Sequence, residues 1–157
     1  MGLFRRRGTR VRAEAASQVV PVNDAEQSWI AGHLELLHAS GIDVADPAAL
    51  GGLYDELLTR WLSAAPGLRP DPNPNINLLG IGVGEHLRRR TGVLDGAVVV
   101  DADGAEIALH GQPGEIIIYP TNAVAKRWTA REVGFLPDFA EQTVDAVARI
   151  TSGAAPG

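Results

Sequence analysis

The chain has 157 residues, 45% of them apolar and 21% charged, a composition that suits one folded domain with tails and excludes a wholly disordered chain. Cysteine is absent, which excludes a disulfide framework, a thiolate metal centre and a cysteine nucleophile. The formal charge of −5 conceals an asymmetry: Arg5, Arg6, Arg7, Arg10 and Arg12 precede any acid, and the remainder holds 9 basic against 19 acidic residues. So acidic a body offers no basic face to phosphates, and nucleic acid is not expected as a partner of the folded domain.

Residues 1–20 lack sustained periodicity and read as a disordered basic leader, ahead of a single α+β domain over 21–151 and a disordered tail over 152–157. The basic start has no apolar run of a signal peptide behind it. No apolar stretch approaches the roughly 20 residues of a bilayer-spanning helix, and a cytoplasmic protein is the expectation.

A first helix is predicted from Asn23-Asp24 to Gly41, with Ile30, Leu34 and Leu37 at helical spacing and Trp29, His33 and Leu36 beside them. Asp46 followed by Pro47 opens a second helix, whose Leu50, Leu53, Tyr54, Leu57, Leu58, Trp61 and Leu62 keep the spacing of a core-facing stripe. The two read as a helical hairpin. Pro66, Pro70, Pro72 and Pro74 then make a stiff connector over Ala65–Asn75. A third helix is expected from Asn75 or Asn77 to Thr91-Gly92, closed by Arg88, Arg89 and Arg90 at the negative end of its dipole. Gly80 and Gly84 share a face of it, which implies close approach to another backbone, most economically the sheet.

Three strands follow as an antiparallel meander: Ala97–Val100, Ile107–Leu109 and Glu115–Tyr119. Asp103-Gly104 marks the first turn and Gly111-Gln-Pro-Gly114 the second. Ile116-Ile117-Ile118 has no polar alternation, placing that strand in the middle of the sheet or beneath a helix. Thr121 or Asn122 is read as the cap of a short helix, and a last helix runs from Pro137-Asp138 through Ile150. The predicted fold is α+β: an N-terminal helical hairpin, a helix, a three-stranded meander, and C-terminal helices packed on one face.

Candidate chemistry is sparse. Gly80-Ile-Gly82-Val-Gly84-Glu85 fails the phosphate-loop pattern and follows no strand, so tight packing is the better reading. His33, His38, His86 and His110 lack the spacing of metal ligands, with His33 at a helix boundary and His86 on the surface. Asp101 and Asp103 flank a hairpin, where Asp commonly bonds local backbone N–H groups. No serine has nucleophile-elbow context, and neither a catalytic residue nor a cofactor is assigned.

The cluster that remains is Tyr119, Asn122, Lys126 and Arg127: a strand end opening into a helix, with the chain's one lysine beside an arginine in an otherwise acidic body. It suits an anionic group or a partner's carboxylate. The opposing reading pairs Lys126 and Arg127 with acids of neighbouring helices.

Leu79-Gly-Ile-Gly-Val-Gly-Glu85, the hairpin with Asp101 and Asp103-Gly104, Tyr119-Pro120, Lys126-Arg127 and the terminal amphipathic helix together resemble the bacterial domain of unknown function 3806 family, over roughly Asn75–Ile150. That resemblance implies no activity, cofactor or partner. The expectation is therefore a non-enzymatic protein-interaction or regulatory module, binding an unidentified protein or a second copy of itself. Its partner surface would include the end of the third strand and the Lys126-Arg127 helix. The alternative is a small anionic-ligand-binding protein, or an enzyme of unrecognised type, with a pocket near Lys126 and Arg127.

Overall fold

The computed structural model describes residues 17–153; residues 1–16, with the five arginines, and 154–157 lie outside it. Four strands, β1 (Gln18–Pro21), β2 (Leu94–Asp101), β3 (Gly104–Gly111) and β4 (Ile116–Ile118), form one antiparallel sheet in the order β1-β2-β3-β4. Five helices accompany it: α1 (Asp24–Ala39), α2 (Pro47–Ser63), α3 (Asn73–Thr91), α4 (Pro120–Thr129) and α5 (Leu136–Ser152). The α+β class and the meander hold, with a fourth strand added. Val19 and Val20 of β1 pair with Val99 and Val98, so residues assigned to the leader supply a sheet edge. Gln18-Val-Val-Pro21 has none of the apolar–polar alternation that reveals a strand in sequence.

Local chemistry sets the helix ends. Asn23 Oδ1 accepts from the Glu26 amide while Glu26 Oε1 accepts from the Asn23 amide, both at 2.7 Å, a reciprocal capping box. Asp46 Oδ1 accepts from the Ala48 amide at 3.0 Å, with Pro47 in the first turn. α3 starts at Asn73, earlier than expected, because Pro74 falls in the first turn, where a missing N–H costs nothing. The connector is tied down: Trp61 Nε1 donates to the Pro70 carbonyl at 2.8 Å, and Arg69 donates to the Leu62 and Ala64 carbonyls with its guanidinium 5.0 Å from the Trp61 ring centre.

The core lies between one face of the sheet and the helices. Leu79, Val83 and Leu87 of α3 pack with Leu94, Leu109 and Ile116 below and with Leu37, Leu50 and Val147 of α1, α2 and α5 around. An aromatic run extends it: Trp61 meets Trp128 edge-on at 5.6 Å, and Tyr54 touches both Trp128 and Phe135. β4 is an edge strand, not a central one, and the opposite side of its isoleucines borders a groove shared with α5.

Gly80 and Gly84 do approach another backbone, but it belongs to α4. A Cβ at Gly80 would lie 2.6 Å from Thr121 Cα, and one at Gly84 would lie 3.5 Å from Pro120 Cγ. Between them Gly82 accommodates Leu37 and Leu50, each 2.8 Å from where its Cβ would be. Glycine is needed at Gly80 and Gly82 because helices press on two sides of α3 at once.

Candidate functional site

The most enclosed apolar concavity described here is a half-open groove of about 250 Å³ between α1, α3 and the sheet. Gln27, Ile30, Ala31 and Leu34 of α1 form one wall. Gly80, Ile81 and Gly84 of α3 form the other, Gly96, Ile107 and Leu109 the floor, and Pro120 and Thr121 of α4 one end. The cavity exists because side chains are missing from both sides. Gly84 leaves α3 bare, and Gly96, paired with Leu109, leaves a gap where a Cβ would find only Val22 Cγ1 at 4.0 Å.

Glu85 and Arg88 border the apolar walls. Arg88 donates from Nε and Nη2 to the two Glu85 oxygens at 2.8 and 2.9 Å, and Arg89 Nε adds a third bond at 2.8 Å. The Arg88 hydrogen bonds hold the Glu85 carboxyl below the usual carboxylate range, with burial opposing and Arg89 reinforcing. The acid is thus committed as an anion to two guanidinium groups.

The four residues expected to form a site are arranged differently. Pro120 takes the first helical position, so Tyr119 precedes α4 and its carbonyl accepts from the Ala123 amide at 3.1 Å; neither Thr121 nor Asn122 is the cap. Tyr119, Asn122 and Lys126 recur at i, i+3, i+7 and share one stripe, with Lys126 exposed. Arg127 stands about 100° further round the helix. Its Nε lies 3.1 Å from Glu132 Oε2, though without hydrogen-bond alignment, and its guanidinium is 5.3 Å from the Phe135 ring centre. Neither Lys126 nor Arg127 lines the groove.

Other polar residues resolve plainly. Asp101 Oδ1 accepts from the Asp103 amide at 2.8 Å within the hairpin turn. His86 corrects the surface reading: it is 1% exposed, and its Nδ1 donates to the Val44 carbonyl at 2.9 Å, bracing α3 against the α1–α2 loop. His33 Nδ1 donates to the Trp29 carbonyl at 2.7 Å, and the Trp29 and His33 rings lie 4.3 Å apart on the outside of α1. Among the described residues no helix is long and apolar enough to cross a membrane.

The groove itself escaped the sequence reading. Its one sequence signal was the glycine pair of α3, but the opposing Gly96 becomes meaningful only when strand register is known.

No curated protein and no solved structure matches the chain. A family model does, over residues 57–139, which is more than half of its length and runs from within α2 through the groove's α3, β2, β3 and α4 elements into α5. The chain belongs to the family described as Domain of unknown function (DUF3806).

Proposed function

We propose that this protein is a non-enzymatic protein-interaction module that seats an apolar anchor side chain of its partner in the groove between α1, α3 and the sheet. The observation that carries this reading is the groove: about 250 Å³ suits one large side chain, below the roughly 300–1,000 Å³ usual for a drug-sized ligand. The lack of cysteine accords with a reducing compartment such as the cytoplasm, and a second copy of the chain belongs among the partner classes.

Filling the groove from its floor tests this. Gly96→Ile places a β-branched residue on a strand where its Cβ has room, so the variant keeps the parent's circular dichroism and thermal midpoint while losing the protein recovered by crosslinking with the parent. Equal recovery by both would overturn the proposal.

The second reading, a small anionic ligand held by an enzyme or binding protein at Lys126 and Arg127, draws on the stripe of Tyr119, Asn122 and Lys126. A small mass retained in native mass spectrometry and lost from a Lys126→Ala, Arg127→Ala variant would favour it over the groove.

A further inference from the structure

β4 ends the sheet, and among the described residues no strand lies beyond it. Register fixes which of its backbone groups are left open. Asp101 and Gly104 close the β2–β3 hairpin around a two-residue turn, so Glu106, Ala108 and His110 aim their backbone amides and carbonyls at β2. The alternate residues Leu109 and Gly111 bond Ile118 and Ile116, and Ile117, opposite His110, points its N–H and C=O away from the sheet. Such edges are ordinarily guarded by charge, proline or a covering element. β4 is Ile116-Ile-Ile118, with no charge to guard it.

Beyond that edge lies a groove of about 490 Å³ between β4 and α5. Phe139, Thr143, Ala146 and Ile150, at i, i+4, i+7 and i+11, form its far wall as one stripe of α5. The stripe is not absorbed into the core: the first three are half-buried and Ile150 is 43% exposed. Around it the charge is acidic, with exposed Glu115 at one end, and Asp138 and Asp145 against Arg149 along the exposed flank of α5.

We propose that this groove takes an extended peptide segment of a partner protein as a fifth strand, apolar at alternate positions and basic at its ends. Three features select that occupant. The open N–H and C=O of Ile117 call for a backbone that returns both bonds, which an extended chain does and a helix, bonded internally, does not. The residue bonded to Ile117 turns its side chain to the far face, so its two neighbours, roughly 7 Å apart, fall on the α5 stripe, where the smaller Thr143 and Ala146 lie between Phe139 and Ile150. The acidic rim selects basic flanks. This surface shares no lining residue with the groove between α1, α3 and the sheet.

The test selects a phage-displayed random peptide library on the full chain. Enriched peptides are expected to alternate apolar residues and to carry Lys or Arg at their ends. N-methylation of the amide that meets the Ile117 carbonyl should weaken binding about tenfold, as for one lost hydrogen bond, while methylation of the amides on either side, which face away from β4, should not. Ala146→Arg, which fills the groove and repels basic flanks, should abolish binding, and Gly96→Ile should leave it intact. The methylation series uses the parent chain and so decides the matter even where Ala146→Arg fails to fold. No enriched peptide, methylation effects without alternation, or unchanged binding by a folded Ala146→Arg would each overturn the proposal. Loss of binding in Gly96→Ile would overturn it too, placing the peptide in the other groove and leaving the earlier reading standing. Concentration-dependent sedimentation abolished by Ala146→Arg would do the same, since a second copy would then be the occupant.

Discussion

Glu85 concentrates charge beside the groove, and its behaviour with pH follows from its partners. With the folded carboxyl held below the ordinary value of about 4.3, its contribution to stability is present above that value and is lost as pH falls through the lower folded one. Glu85→Gln is therefore expected to cost about 1–2 kcal/mol in urea unfolding at neutral pH. That difference should shrink toward zero in strong acid, where the native carboxyl is protonated too. An undiminished difference at low pH would assign the loss to packing. His86 shows a limit of reading residues singly: beside Glu85 in a charged stretch it looks like surface, and only the meeting of α3 with the α1–α2 loop buries it. Arg127 shows the converse. Its pairing with an acid was foreseen as the reading opposed to a ligand site, but the acid, Glu132, lies in the loop that follows α4, not on a neighbouring helix.

At the level of elements, α3 is the piece the others are built against. Its two outer glycines face α4 at different clearances, and they should respond in opposite ways to the same methyl group. Gly80→Ala drives a Cβ to 2.6 Å from Thr121 Cα and is expected to cost about 3 kcal/mol, with no rescue by Thr121→Ala because the clash is with backbone. Gly84→Ala meets Pro120 at an ordinary 3.5 Å and should be neutral or stabilising by up to about 1 kcal/mol through helix propensity. Thermal unfolding of the two variants checks both. The element order was legible because capping residues, heptad-like stripes and the Asp-Gly turn are local signals. β1 was not, since its valines become a strand only by pairing with β2, and the partner of the glycine face was missed because helix–helix docking leaves no mark of its identity in a single sequence.

For the whole molecule, burial is unevenly shared. α3 packs against every other helix and against β2 and β3, whereas β1 and β4 each have one paired edge. Hydrogen exchange is expected to be slowest in the centre of α3, at the global unfolding limit, and far faster in β1 and β4. Faster exchange in α3 than in α5 would show that the helices do not unfold as one unit. The candidate groove follows the same logic: it lies where α1 reaches over the sheet, and only the assembled molecule brings Gly84 and Gly96 to opposite sides of one space.

The distribution of tryptophans gives the protein a built-in optical gauge. Trp128 is buried and edge-on to Trp61, so those two indoles share excitation and emit toward the blue while the fold is intact. Trp29 stands apart, 40% exposed on the outer side of α1, and contributes the red-shifted, readily quenched part of the emission. The outer side of α1 and the integrity of the core thus fall in separate bands of one unlabelled fluorescence spectrum.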